Sequence, residues 1–217
     1  MNNNQAIKET PQKFALAVLV ILHAVGVFGL NMENFREDFL GLIWINLLFV
    51  FSIVLSLHPK WDSKYLLFVP VIFLFGMVIE IIGVKTDQIF GAYSYTNRLG
   101  NLVGGVPLII GMNWVIVTYC AGMVSIRFFN KRIPRVILGA GLMVLLDVVI
   151  EPFAIKYGLW EWLAGHPPLR NWAGWIAASL ATQYLFQISF RRRTGFNPVG
   201  FWAYVILLAF FLADWII

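Results

Sequence analysis

Charged side chains are scarce in this sequence of 217 residues, where Asp, Glu, Lys and Arg together make up 12% of the chain. Soluble globular domains carry roughly 25%. Hydrophobic residues account for 60%, and the mean hydropathy is +0.78. This composition is typical of a protein embedded in a lipid bilayer. The net charge of +5 does not indicate a nucleic-acid partner, because the basic residues cluster at the ends of apolar segments, as membrane topology requires.

Cysteine and several cofactor motifs are also missing. The single cysteine, Cys120, excludes an intrachain disulfide and a cysteine-based metal site, and it is expected to be a small buried residue. The three histidines, His23, His58 and His166, lack metal-ligand spacing, so no metal is expected. No lysine lies inside an apolar segment, which excludes a retinal Schiff base. The absence of DDxxD-like, GxGxxG and His-box motifs argues against prenyltransferases, dinucleotide-binding enzymes and membrane desaturases.

Seven apolar segments are long enough to cross a bilayer, which takes about 20 mainly apolar residues. We therefore expect an all-α polytopic membrane protein in which residues 1–217 form a single helical domain, one bundle with no soluble domain. Pro152 is expected to end the fifth helix at Glu151, because the residue before a proline disfavours helical conformation. The expected spans are roughly 14–31, 39–57, 65–83, 106–126, 134–151, 172–190 and 199–217.

Lysine and arginine are distributed unequally between the two sides of such a bundle. Eleven lie on the side of the N-terminus and five on the other, and cytoplasmic loops are the ones enriched in these residues. The N-terminus is therefore expected in the cytoplasm, and the long loops 84–105 and 152–171 on the opposite side. Aromatic, Gly and Pro residues in these loops indicate packed lids, with an interfacial aromatic belt as the alternative. The eleven are Lys8, Lys13, Lys60, Lys64, Arg127, Lys131, Arg132, Arg135, Arg191, Arg192 and Arg193.

Carboxyl groups inside or at the ends of spans are costly to keep there, and they mark candidate functional sites. On the expected topology all four lie at a similar depth beneath the two loops. They are Glu80, Asp147, Glu151 and Asp214. Asp214 is the weakest candidate, because an acid three residues from the end of the chain can simply be solvated.

Asp147 and Glu151 are four residues apart and share one face of a helix. Two carboxyl groups this close resist ionising together, which separates them into general acid and general base. The structural alternative is that the acids only form ion pairs that hold the loops down. The cations available for this on the same side are Lys85, Arg98, Lys156 and Arg170.

Asn113 and Trp114 add an amide and a flat ring to the outer half of the fourth span. Asn113 is expected to be buried and therefore to need a hydrogen-bond partner. It can orient a water molecule or a carboxyl group, or it can join two helices. His166 lies in a loop on the same side, where a histidine is usually solvated.

Several motifs occur in a characteristic order between residues 76 and 176: ExxGVxT from Glu80 to Thr86, then FGAYSYT, GGVPLIIGMNW, DxxxEP from Asp147 to Pro152, WEW and NWAGW. This set resembles the bacterial and archaeal carotenoid hydratases of the gamma-carotene 1',2'-hydratase and bisanhydrobacterioruberin hydratase type. That family has aspartate before the proline, where this chain has Glu151. The longer side chain leaves open which of Asp147 and Glu151 has the principal role.

The resemblance implies an integral protein of the inner membrane of a prokaryote that adds water to the terminal C=C of an acyclic psi end group, giving a tertiary 1-hydroxy-1,2-dihydro carotenoid. A neutral carboxylic acid would protonate the alkene, a carboxylate would take a proton from water, and no cofactor would be needed. Asp147 or Glu80 is expected to donate the proton, Glu151 to activate water or set the donor's charge, and Asn113 to orient water or the donor. Residues expected to line the pocket and shield the cation are Tyr93, Tyr95, Trp114, Trp160, Trp162 and Trp172. The expected partners are a hydrophobic carotenoid of the lycopene or gamma-carotene type, the lipid bilayer and other carotenoid-pathway enzymes.

Three other functions remain open at this stage. A carotenoid end-group isomerase or cyclase begins with the same protonation and differs only in the fate of the cation. A transporter with a carboxylate relay is the non-enzymatic alternative, although such a relay should extend across the membrane. Here the acids lie on one side and the inner half of the bundle looks apolar. A membrane scaffold with partner-binding loops leaves the buried acids unexplained.

Overall fold

A computed structural model describes residues 3–190 and 196–216 of the chain. These residues are mainly helical, which confirms the expected all-α membrane protein. Of the eleven basic residues counted on the side of the N-terminus, Arg191, Arg192 and Arg193 lie outside the described residues. The helices of the described part are α1 (Asn3–Asn31), α2 (Arg36–Gly41), α3 (Ile43–Ser56), α4 (Ser63–Thr86), α5 (Leu108–Phe128), α6 (Arg132–Lys156), α7 (Leu169–Ser189) and α8 (Pro198–Ile216).

Five helices of the described part, α1 from Thr10 and the whole of α4, α5, α6 and α8, are long and apolar enough to cross a membrane. They coincide with five of the seven predicted spans. The predicted second span corresponds to α2 and α3, and α3 alone is only about 21 Å long at 1.5 Å per residue. The predicted sixth span corresponds to α7, which is long enough but less apolar. The number of spans therefore stays a prediction.

The expectation that Pro152 ends the fifth helix is wrong, since α6 continues through it to Lys156. Proline removes one backbone N–H from the helical ladder, but membrane helices tolerate this where neighbouring groups compensate. Phe153 follows it and is buried between Phe210 and Phe211, with ring centroids 5.6 and 5.1 Å away. This packing holds the last turn in place, so Glu151 lies inside a regular helix.

α5 lies in the centre of the bundle, and most of its residues are buried by the surrounding helices. It packs against α3, α4, α6, α7 and α8. Its residues are consequently apolar all round, as expected for a helix without a solvent or lipid face. Side chains at the start of α5 can therefore meet side chains from several neighbouring helices at once.

The two long loops meet over one end of the bundle, which we call the loop end, and pair through short strands that the sequence did not reveal. Strands β1 (Tyr93–Tyr95) and β4 (Trp160–Trp162) are antiparallel, with Tyr93 opposite Trp162 and Tyr95 opposite Trp160. Strands β2 (Leu102–Val103) and β3 (Val106–Pro107) form a hairpin that leads into α5. Thr96 adds a hydrogen bond from its hydroxyl to the carbonyl of Gly158 at 2.7 Å. The loops therefore form the packed cover that was predicted.

A polar stripe runs along α7, contrary to the expectation that the opposite half of the bundle is apolar. Ser179, Gln183 and Gln187 recur at every fourth residue, so they share one helix face, and all three are buried. The Gln183 amide donates to the carbonyl of Thr118 at 2.8 Å, and Gln187 donates to the Ser125 hydroxyl at 3.0 Å. These bonds join α7 to α5, which explains why α7 is stable in the bundle despite its lower hydropathy.

Candidate active site

Glu80 is held by three hydrogen-bond donors beneath the loops. The hydroxyl groups of Tyr93 and Tyr95 donate to its Oε2 at 2.5 and 3.0 Å, and the indole N–H of Trp114 donates to its Oε1 at 3.0 Å. Glu80 is only 4% exposed. Hydrogen bonds donated to a carboxylate favour its charged form, so this arrangement suits an ionised Glu80.

Two glycines on α4 make room for those donors. Gly76 and Gly83 lie four residues before and three after Glu80, on the same face of the helix. A Cβ at Gly76 would collide with the Cβ and Cγ of Trp114, and one at Gly83 would lie 2.8 Å from the Phe90 ring and 3.2 Å from the Tyr93 hydroxyl. The absence of side chains at these positions therefore lets the rings approach Glu80 closely.

Asp147 has far fewer hydrogen-bonding partners than Glu80. It lies on α6, is 5% exposed, and accepts one long hydrogen bond of 3.4 Å from the amide of Asn171 on α7. Met143, Leu146 and Ile150 line the pocket beside it. A carboxyl group in such apolar surroundings with a single weak donor is suited to the neutral, protonated form.

Glu151 lies one turn further along α6 and accepts hydrogen bonds from β4, which is part of the loop cover. The indole N–H groups of Trp162 and Trp160 donate to its Oε2 at 3.0 and 3.3 Å. The alternation of a strand places both rings on the side of the bundle, whereas Glu161 between them is exposed. The loop cover therefore contributes directly to the position of Glu151.

Aromatic rings form the remaining walls of the site. Trp114 and Trp175 are stacked, with ring centroids 4.6 Å apart and an angle of 6° between the planes. Tyr93 packs against Trp162 at 5.0 Å, and Tyr95 packs edge-on against Trp160 at 5.9 Å. These four residues and Trp114 line the same pocket.

Of the predicted site residues, Trp172 is the one that does not line the pocket; Trp175, one turn further along α7, lines it instead. Asn171, Phe90 and Trp175 are lining residues that the sequence reasoning missed. The spacing in NWAGW contained a signal for the last, since Asn171 and Trp175 are four residues apart and share a helix face. Without the position of α7 relative to α5, either tryptophan was a reasonable choice.

The pocket between these side chains has a volume of about 40 Å³, which is enough for ordered water.

Within the described residues, no salt bridge reaches the three acids of the pocket. The candidate cations act elsewhere: Arg98 binds Glu37 at 2.8 Å, Lys156 binds Asp214, and Arg170 contacts the side chain of Gln88. In the described part of the chain, ion pairing therefore does not account for Glu80, Asp147 or Glu151, whereas Asp214 does form such a pair. No group of three metal-ligating side chains occurs in residues 3–190 and 196–216.

The tyrosines of β1 remain hydrogen-bond donors over a wide pH range. Burial, and next the neighbouring Glu80 carboxylate, raises the pKa of both Tyr93 and Tyr95 well above the ordinary value. Each phenol therefore keeps its proton, and toward an ionised Glu80 it acts as a hydrogen-bond donor. The cover thus supplies fixed donors rather than further acids.

Two other candidate residues lie outside the pocket. Asp214 is 4% exposed and accepts a hydrogen bond from the Tyr157 hydroxyl at 2.7 Å, so it is not solvated in spite of its position near the end of the chain. It also pairs with Lys156 at 3.3 Å, which joins α8 to the end of α6. His166 is exposed on the cover, as expected for a loop histidine.

Asn113 lies on α5 at the junction of this pocket with a second cavity, which it also lines. It is half-buried rather than fully buried as predicted. Among the described residues its side-chain amide forms no hydrogen bond, so it does not serve to join two helices. The amide is available to a group that enters from either cavity.

Comparison with known proteins supports the family resemblance that the sequence motifs indicated. The family model described as "Carotenoid biosynthesis protein" matches residues 41–217. A protein named bisanhydrobacterioruberin hydratase, from Haloarcula japonica, is 23% identical over 196 residues, which cover 84% of this chain and 67% of that protein. No solved structure matches the chain significantly. Because the family model covers most of the sequence, the chain belongs to the carotenoid biosynthesis protein family.

Proposed function

We propose that this protein is a carotenoid hydratase, which adds water to the terminal C=C of an acyclic psi end group and forms a tertiary 1-hydroxy-1,2-dihydro carotenoid. The observation that carries the proposal is the convergence of Glu80, Asp147 and Glu151 in one aromatic pocket, each with a different set of hydrogen-bond donors. The similarity to a protein named as a hydratase supports the same reaction class.

The first step is the transfer of a proton from neutral Asp147 to the alkene carbon that bears a hydrogen. The two π electrons form the new C–H bond, and the neighbouring carbon becomes a tertiary cation. Asp147 suits this role because Asn171 is its single donor, so its own O–H is free to point at the substrate. Asn171 orients the carboxyl group without neutralising it.

The cation then has to survive until water adds to it. Ionised Glu80, fixed by three donors, supplies a negative charge whose position is set before the reaction, which is the most effective form of electrostatic stabilisation. The faces of Trp114 and Trp175 contribute cation–π attraction of about 0.5–2 kcal/mol each when desolvated. These groups stabilise the charged intermediate more than the neutral alkene.

The second step is the addition of a water oxygen to the cation, with Glu151 accepting the proton that the bound water releases. Asn113 of α5, whose side-chain amide has no partner among the described residues, orients this water. The reaction leaves Asp147 ionised and Glu151 protonated. Because these residues are one helical turn apart, a proton can return from Glu151 to Asp147, and the cycle closes without net uptake or release of protons.

The test is expression in a prokaryotic host that makes lycopene or gamma-carotene, followed by mass spectrometry of the pigments. A mass gain of one water that is lost in Asp147→Asn and kept in Glu161→Gln supports the proposal. Glu161 is the matched control because it is an exposed acid on β4. A new pigment of unchanged mass would show cyclisation or isomerisation instead. Unchanged pigments from a folded, membrane-inserted protein with both substrates would contradict the proposal.

A further inference from the structure

A second cavity of about 90 Å³ adjoins the acid pocket. Four residues line both spaces, so the two are in direct contact; they are Ile110, Asn113, Ile150 and Trp160. We call this second cavity the side chamber. It lies between α1, α3, α5, α6 and α8, and its walls include the rings of Phe153, Phe210 and Phe211. Such walls fit a hydrocarbon chain better than bulk water.

Two polar atoms at the side chamber have no partner within the described residues. They are Nε2 of His23, a side chain only 5% exposed, and Oδ1 of Asn46. Both side chains line the chamber. A buried polar atom without a partner costs about 1–3 kcal/mol, so these atoms call for a hydrogen-bonding ligand.

The hydrogen bond of His23 specifies what kind of ligand is required. Its Nδ1 lies 2.7 Å from the carbonyl oxygen of Leu19, and a carbonyl can only accept. Nδ1 therefore carries the proton, and in a neutral imidazole Nε2 must then be an acceptor. The amide oxygen of Asn46 is an acceptor as well. The chamber thus presents two acceptors and needs a donor, which for a hydrocarbon-like ligand is a hydroxyl group.

We propose that the side chamber is a ligand subsite for an isoprenoid segment that carries a hydroxyl group, whose O–H donates to His23 Nε2 or to Asn46 Oδ1 next to the reacting end. The proposal rests on the proposed function only for its position beside the site of hydration. An entry path is present: a third pocket shares Ile43, Asn46 and Phe210 with the chamber and extends to Val25 and Leu42. Both of these are exposed on the outside of the bundle, where lipid would be.

The experiment uses two saturated probes, phytanol and phytane, which share an isoprenoid skeleton and differ by one hydroxyl group. Neither has a C=C to hydrate, so binding is measured independently of catalysis, by displacement of a fluorescent polyene from the full-length protein in nanodiscs. Wild type should bind phytanol more tightly than phytane by about 3- to 10-fold, the value of the one hydrogen bond that its O–H can donate. His23→Leu and Asn46→Leu should each reduce this preference.

Ser179→Ala is the matched control, because its hydroxyl is likewise buried without a partner but does not line the chamber. It should keep the preference for the alcohol. Ile43→Trp, at the junction with the third pocket, should weaken both probes equally by filling space, and circular dichroism establishes that each variant is folded. Equal binding of the two probes by wild type, or a preference that persists in both leucine variants, would overturn the proposal and leave water as the partner of these atoms. If the protein prefers phytanol to phytane but hydrates no carotenoid, only the proposed function is contradicted.

Discussion

The indole N–H of Trp114 donates to Glu80 at 3.0 Å, while its ring occupies the space left by the missing side chain of Gly76. The hydrogen bond and the close packing depend on each other, because Gly76 lies one turn before Glu80 on α4. Trp114 in turn stacks on Trp175 of α7. Three helices are thereby fixed around one carboxyl group.

Gly76→Ala should displace Trp114 and lower both hydration and stability. The new Cβ would meet the beginning of the Trp114 side chain rather than its flexible end, and overpacking of this kind costs about 1–3 kcal/mol. The measurements are pigment conversion in cells and thermal unfolding in detergent.

Gly141→Ala is the corresponding control on α6. A Cβ there has no neighbour within 4 Å, and alanine stabilises a helix relative to glycine by about 1 kcal/mol. This variant should be as active and at least as stable as wild type. If Gly76→Ala behaved in the same way, the close approach of Trp114 to α4 would not be needed for the site.

Trp162→Phe should slow hydration about tenfold, because Glu151 loses a donor that holds it at 3.0 Å and hydrogen bonds to charged groups are worth about 1.5–3 kcal/mol. Trp172→Phe should change the rate less than twofold, since Trp172 does not line the pocket. Initial rates with purified enzyme and one carotenoid substrate provide the comparison. A larger effect at Trp172 than at Trp162 would return Trp172 to the site, as the sequence predicted, and would contradict its position outside the pocket.

Asp214→Asn should reduce stability and leave hydration per folded molecule unchanged. It weakens the pairing with Lys156 and alters the bond from Tyr157, outside the pocket that holds the other three acids. We expect a loss of about 1–3 kcal/mol in the free energy of unfolding. Denaturant unfolding and activity normalised to folded protein separate the two effects, and a loss of hydration in a fully folded Asp214→Asn sample would place Asp214 in the mechanism.

His58, in the turn between α3 and α4, should make stability depend on pH. Burial lowers its pKa from 6.5 to about 4, against a small opposing effect of Asp62. Between those pH values the unfolded chain binds more protons than the folded one, so stability falls as pH drops from 6.5 towards 4, by at most about 1.4 kcal/mol per unit from this residue.

His58→Phe should flatten this part of the stability profile, even though it also removes the hydrogen bond to Tyr119. His166→Gln alters an exposed histidine on the loop cover and should leave the profile as it is. Thermal unfolding of both variants between pH 4 and 7 tests this. An unchanged slope in His58→Phe would assign the pH dependence to other groups.

The sequence by itself determined the membrane character of the protein, the approximate positions of its long helices and the choice of candidate acids. These features are local: a span depends on about 20 successive residues, and the spacing of Asp147 and Glu151 follows from the helix repeat. The order of the motifs was also sufficient to indicate the family, and the family model confirms it.

The tertiary structure decided which residues act together. Donors to Glu80 come from β1 and α5, and donors to Glu151 come from β4. Strand β4 pairs with β1 although the whole of α5 and α6 lies between them in the sequence. The choice of Trp175 over Trp172 depended on the rotation of α7, and the continuation of α6 through Pro152 depended on the burial of Phe153. Packing between distant segments sets all of these, and no local pattern encodes it.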